Sequence, residues 1–168
     1  MCITVGDFGR MLVLEKVHGE DYAESCQYGV LKHAKTVFRE FSQSMECNER
    51  LGNITLSFDF SNGKDEYLKI ANDILDLESI NWGRIITFII FSIKVAEGYR
   101  LQQEIELATN VANWLPNTLI PLNDWMDEQG RLDGLLTRIA KPVKRSEPCS
   151  WLACSFLSFF IFYFLYFN

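Results

Sequence analysis

The residues best placed to do chemistry in this chain are Asn81, Gly83 and Arg84, set directly against the apolar run that begins at Ile85. What they offer is recognition of negative charge rather than bond-making. Asn81 is a strong N-cap, so the run starts as a helix at Trp82 and carries Arg84 in its first turn, where the macrodipole disfavours a cation by about a few tenths of a kcal/mol. An acidic group is therefore expected opposite Arg84, supplied either by the nearby Asp76 or Glu78 or by something that approaches the helix. Gly83 costs a helix about 1 kcal/mol against Ala, which fits either a close approach of backbone or ligand or a turn that is merely tight. Other chemistry is sparse. His18 and His33 have no Cys or carboxylate at a metal-ligand spacing, and no phosphate loop or nucleophile elbow occurs. Asp73, Asp76 and Glu78 read as a solvated helix face. No catalytic residue, metal site or cofactor is expected, and the chain is not read as an enzyme.

At 168 residues the chain is long enough for one domain with a real core, and 48% hydrophobic content excludes a disordered protein. A net charge of −6 with no basic stripe in the body argues against nucleic acid as a partner. Five scattered cysteines without a CxxC pair, and an N-terminus without a secretory layout, predict a reducing, cytosol-facing protein. The C-terminus departs from this composition. From Trp151 to Phe167 no residue is charged, and as a helix the stretch would span about 25 Å, enough for a thin bilayer. Lys141, Lys144 and Arg145 precede it among Pro142 and Pro148. The expected organisation is a helical domain over 1–140, a basic hinge over 141–150 and a tail anchor over 151–168, with the basic side cytosolic. The alternative is a buried C-terminal core helix.

The elements that must position Arg84 are read from periodicity. Val30, Ala34, Val37, Phe38, Phe41 and Met45 mark one amphipathic helix within 22–45, and Tyr67, Ile70, Ala71, Ile74, Leu75 and Leu77 mark another over 64–78. The run from 81 to about 97 is apolar on nearly every face, which predicts a helix at the centre of a bundle. Leu101, Ile105, Ala108, Val111, Ala112 and Leu115 continue with a further amphipathic helix, limited by Pro116 and Pro121, and short helices follow around Trp125 and Leu132–Ile139. An N-terminal helix over Phe8, Met11, Leu12 and Val17 is expected to be weak because Gly6 and Gly9 interrupt it. Ile54, Leu56, Phe58 and Phe60 alternate with polar residues in period two, yet no second strand is evident. The segment is therefore read as an irregular connection that packs its apolar side on the bundle.

Asn81-Trp82-Gly83-Arg84 with its apolar helix resembles the first homology motif of the Bcl (B-cell lymphoma two) family of apoptosis regulators. Trp125-Met126-Asp127-Glu128-Gln129-Gly130 is similar to the family's second motif, with Arg131 and Leu132 where the family usually has Gly and Trp, and the tail resembles the anchor many members carry. The resemblance implies an all-α, Bcl-type bundle around a central hydrophobic helix with a C-terminal transmembrane tail. It also implies a groove that takes the BH-three helices of death-promoting relatives, the motif Arg pairing with an Asp of the guest. Asn81, Gly83 and Arg84 would then carry recognition, with Phe38, Ala71, Leu75, Thr87 and Phe91 as candidate lining of the groove.

The family contains both survival proteins and membrane-permeabilising effectors. Leu31 to Phe38 aligns with the family's own BH-three segment, but Lys35-Thr36 stands where that segment carries Gly-Asp. A chain without that acid is poorly equipped to offer its helix to a neighbour, so the expectation is an inhibitor of apoptosis on the cytosolic face of the mitochondrial outer membrane, or of the endoplasmic reticulum. A homodimer is left open. The compact N-terminal half and Phe-rich tail are similar to those of virus-encoded members. A permeabilising effector of the same fold and an unrelated tail-anchored scaffold are the competing readings.

Overall fold

Helix α4, Trp82–Leu101, forms because Asn81 caps it and no Pro interrupts it, and it is central because ten of its residues are too apolar or too enclosed to face water: Ile85, Ile86, Phe88, Ile89, Ile90, Phe91, Ser92, Val95, Ala96 and Tyr99 are buried. The computed structural model describes residues 3–19, 29–45, 54–55 and 57–140. Around α4 stand α1 (Val5–His18), α2 (Gly29–Met45), α3 (Gly63–Leu75), α5 (Ile105–Leu119), α6 (Asn123–Glu128) and α7 (Arg131–Ala140), with single 3-10 turns at Leu77–Ser79 and Ile120–Leu122. Helices α1, α3 and α5 pack on α4, and α1 and α5 also pack extensively on each other. One apolar cluster runs through all of these helices from Val5 to Ile139.

Three local expectations are corrected by tertiary packing. Helix α1 is well formed despite its glycines, because Thr4 and Asp7 close a capping box in which the Asp7 amide donates to Thr4 Oγ1 at 3.0 Å and the Thr4 amide donates to Asp7 Oδ2 at 3.3 Å. The glycines themselves permit close contact. A methyl group on Gly9 would stand 2.8 Å from Leu115 Cδ2, and one on Gly6 would stand 3.0 Å from Pro116 Cβ, so both open the face by which α1 lies against α5. Pro116 lies inside α5, which continues to Leu119. Leu101 belongs to the end of α4 and is exposed, and Leu77 lies in the 3-10 turn beyond α3, 65% exposed, so neither joins the apolar face that periodicity assigned it.

The alternating segment is not a strand. Phe58 is buried edge-on to Phe91 and Tyr99, and Phe60 lies edge-on to Tyr99 at 5.0 Å and close over Gly98, where a Cβ would meet the ring at once. Period two here places alternate rings on α4, and among the described residues there is no partner strand. Asp59 then turns the chain, accepting from the Ser61 amide at 2.9 Å and from Asn62 Nδ2 at 2.7 Å, and α3 follows at once. Among the described residues no helix is long and apolar enough to cross a membrane. The hinge 141–150 and the tail 151–168 lie outside the described residues.

Candidate helix-binding site

Arg84 sits where two helix ends meet. Its backbone begins α4, the amide donating to Asn81 Oδ1 at 3.2 Å, and Asn81 Nδ2 donates to Ser79 O at 3.1 Å, tying the cap to the preceding turn. Its guanidinium reaches back to the end of α3. Nη1 donates to the Ile74 carbonyl at 2.8 Å, and Nη2 meets Asp76 Oδ2 at 3.1 Å. The cation that α4's dipole disfavours is thus held at the C-terminus of α3, where unsatisfied carbonyls and the opposite end of a macrodipole favour it. Of the alternatives open in the sequence, the described structure pairs Arg84 with Asp76.

Asp76 ends α3 in the left-handed region, φ 35°, with its amide donating to Asn72 O at 3.0 Å. Its carboxylate accepts from Ser79 Oγ at 2.5 Å. That hydroxyl, with Arg84 beside it, outweighs partial desolvation and holds the Asp76 carboxyl below the usual carboxylate range. The pair remains accessible, with the Arg84 side chain 33% and the Asp76 side chain 43% exposed.

Gly83 is exposed, and a Cβ there would meet only Asn81 Oδ1, at 3.0 Å. No helix of the described structure crosses it, so any close approach would come from outside the bundle. Thr87, one turn along, is half-buried and donates to the Gly83 carbonyl at 2.8 Å. The other predicted lining residues are buried: Ala71 and Leu75 on α3, and Phe91 on α4, whose ring stacks on Tyr67 with centroids 5.7 Å apart. They belong to the closed apolar core rather than to an open wall. Phe38 is also buried, with its ring edge-on to Phe8 of α1 at 5.7 Å, which commits it to the α1 side of α2.

Sequence reasoning missed two features. Trp82 packs against Trp125 at 5.1 Å, so the second motif's Trp braces the start of α4. Arg131, which departs from the family pattern, forms a two-pronged pair with Asp127, Nε to Oδ1 at 2.9 Å and Nη2 to Oδ2 at 3.2 Å. The i, i+4 spacing of Asp127 and Arg131 could have signalled it.

At the aligned BH-three segment, Lys35 Nζ lies 2.7 Å from Glu15 Oε2 and Arg39 Nη2 lies 2.6 Å from Glu15 Oε1, so α2 is clasped to α1 through one carboxylate. Among the described residues no three His, Cys, Asp or Glu side chains gather as metal ligands would.

These features define a class: a helical bundle around a buried apolar helix, with a capped, accessible arginine at its corner. Over 112 residues the chain is 22% identical to apoptosis regulator BAX of Homo sapiens and 23% identical to that of Rattus norvegicus. The match takes in 66% of this chain and 58% of each relative, so it spans less than two-thirds of their length. No family model matches the sequence. In fold the chain is similar to Trichoplax adhaerens trBcl-2L2, solved bound to trBak BH3, with a TM-score of 0.63 and 17% identity over 78% of this chain and 96% of that one. In its motif, its bundle and these relatives, the chain is similar to the Bcl-2 family in sequence and in fold.

Proposed function

We propose that this chain binds the amphipathic BH-three helices of pro-apoptotic Bcl family proteins beside Arg84 and so restrains permeabilisation of the mitochondrial outer membrane. The role is one of binding, without catalysis. Arg84 would meet the guest's Asp, exposed Gly83 would let the guest backbone come close, and the buried apolar residues Ala71, Leu75 and Phe91 would have to be uncovered for the guest's anchors at i, i+3/i+4 and i+7. The solved relative bound to a BH3 segment supports this partner class.

The inhibitory direction rests on Lys35-Thr36. An effector that assembles by offering its own BH-three helix needs an acid for the next copy's Arg84, and here Thr36 holds the acid's place, beside a Lys35 already committed to Glu15. Residues 151–167 would hold the protein on the cytosolic face of the membrane. The virus-like reading rests on the compact N-terminal half and the tail composition.

The test uses dye-loaded liposomes of mitochondrial lipid composition and the full-length chain. With an activated effector present, adding this protein should reduce dye release. The protein with an activating BH-three peptide and no effector should release nothing, and leakage in that tube would reverse the sign in favour of the permeabilising reading.

A further inference from the structure

We propose that Asp76 is a built-in counter-ion that occupies Arg84 in the unbound chain and that an acidic guest helix must displace, so that Asp76 sets how tightly the site takes an Asp-bearing partner. The inference rests on the helix-binding reading above. Its ground is the division of the guanidinium. One terminal nitrogen is spent on the Ile74 carbonyl at 2.8 Å, and the other is engaged by Asp76 at 3.1 Å, so a guest carboxylate reaching Nη2 meets a group of its own charge already in place.

The exchange is feasible because the pair is not sealed. Both side chains are a third or more exposed, and Asp76 keeps a second partner, Ser79 Oγ, to which its carboxylate can stay bonded after releasing Arg84. The Arg84–Ile74 bond would survive the exchange and keep the guanidinium aimed at the corner. Asp76 also occupies a left-handed position at the helix end, a conformation that Asn and Gly adopt readily, so the charge can be removed without undoing the turn.

The experiment measures the affinity of the full-length protein in detergent for an amphipathic BH-three peptide carrying the Asp, and for the same peptide with that Asp changed to Asn. Asp76→Asn should tighten binding of the acidic peptide by about two- to fivefold, the range for releasing a partly exposed ion pair, and the gain should shrink as salt is raised. Binding of the Asn peptide should not change. In an Arg84→Ala background, Asp76→Asn should have no effect on either peptide. Circular dichroism checks the fold, and Asp76→Gly serves if the Asn variant is poorly folded.

If wild type binds the acidic peptide and the folded Asp76 variants bind it equally or more weakly, Asp76 is not a competitor and the proposal fails alone. Equal gains for both peptides would also overturn it, because charge would not be the cause. If neither wild type nor variants bind the peptide, the helix-binding reading falls together with it.

Discussion

Replacing Lys35 by Asp sets an acid one residue before Thr36, the place where the resembled BH-three segment carries its Asp, and the structure says what that costs. Glu15 is 11% exposed and Lys35 18%, so the pair lies where water screens poorly, while Arg39 on the rim is 53% exposed. The shorter Asp side chain would leave Glu15 with Arg39 alone and set a second carboxylate roughly 6 Å away. At an effective dielectric near 20, that repulsion alone is worth up to about 3 kcal/mol. Loss of the partly buried pair adds to it and escape of the new carboxylate toward solvent subtracts, so the net destabilisation is about 2–4 kcal/mol. A chain of this size should then melt about 5–15 °C lower, read by far-ultraviolet circular dichroism of the full-length protein in detergent. Lys35→Met, which keeps the apolar stem and loses only the charge, should cost about 1 kcal/mol. Pairing Lys35→Asp with Glu15→Lys should recover part of the loss, since opposite charges face each other again. A Lys35→Asp protein that melts with wild type would refute the clasp and remove the physical basis for treating α2 as fixed on α1.

Gly9→Ala should destabilise the fold by about 1–2 kcal/mol in denaturant titrations. The added methyl meets fully buried Leu115 at 2.8 Å, and the overpacking outweighs the gain in helix propensity. Gly83→Glu should leave the melting temperature nearly unchanged, because the position is exposed, yet abolish BH-three peptide binding in a fluorescence-polarisation assay. Burial pushes the Tyr67 hydroxyl well above the ordinary tyrosine value of 10.0, with its hydrogen bond to Ser92 opposing weakly, so the folded state holds that proton more tightly than the unfolded chain. The stability this contributes is complete below pH 10.0 and is lost as pH rises beyond it. Tyr67→Phe should flatten the alkaline fall in stability seen by wild type, with a residual slope from Tyr99, whose hydroxyl is raised by burial and by Asp59.

What could be read from the residues alone was whatever a single element decides. Apolar side chains on nearly every face of 81–97 demand enclosure by neighbours, and α4 is the centre of the bundle. The Asn81 cap was equally local. What could not be read was any effect that needs a second element in place. Gly6 and Gly9 look like helix breakers until α5 is seen to lie within methyl distance of them, whereas the alternating phenylalanines pack on α4 as the irregular connection expected of them, the missing partner strand being legible in the sequence. Arg84 is the sharpest instance. Its sequence position gives it the wrong helix end, and only the turn at Asp76–Ser79, which folds the end of α3 back on the start of α4, shows that its side chain serves the other helix.

Two of the ion-pair clusters of this bundle use the same kinds of group and differ in water. Glu15 with Lys35 is enclosed between α1 and α2, so parting them would strand charge in a poorly solvated place, and the pair acts as a fixed joint. Asp76 with Arg84 stands at an open corner, where either member can be re-solvated or re-paired at small cost, and so it can exchange partners. Pairing alone therefore does not separate the two; accessibility of the pair does. By that measure Arg84 is available to a guest and Lys35 is not. On the proposed function, the same contrast would let the chain offer Arg84 to a guest while Lys35 stays on Glu15, the combination that sequestration without self-assembly requires.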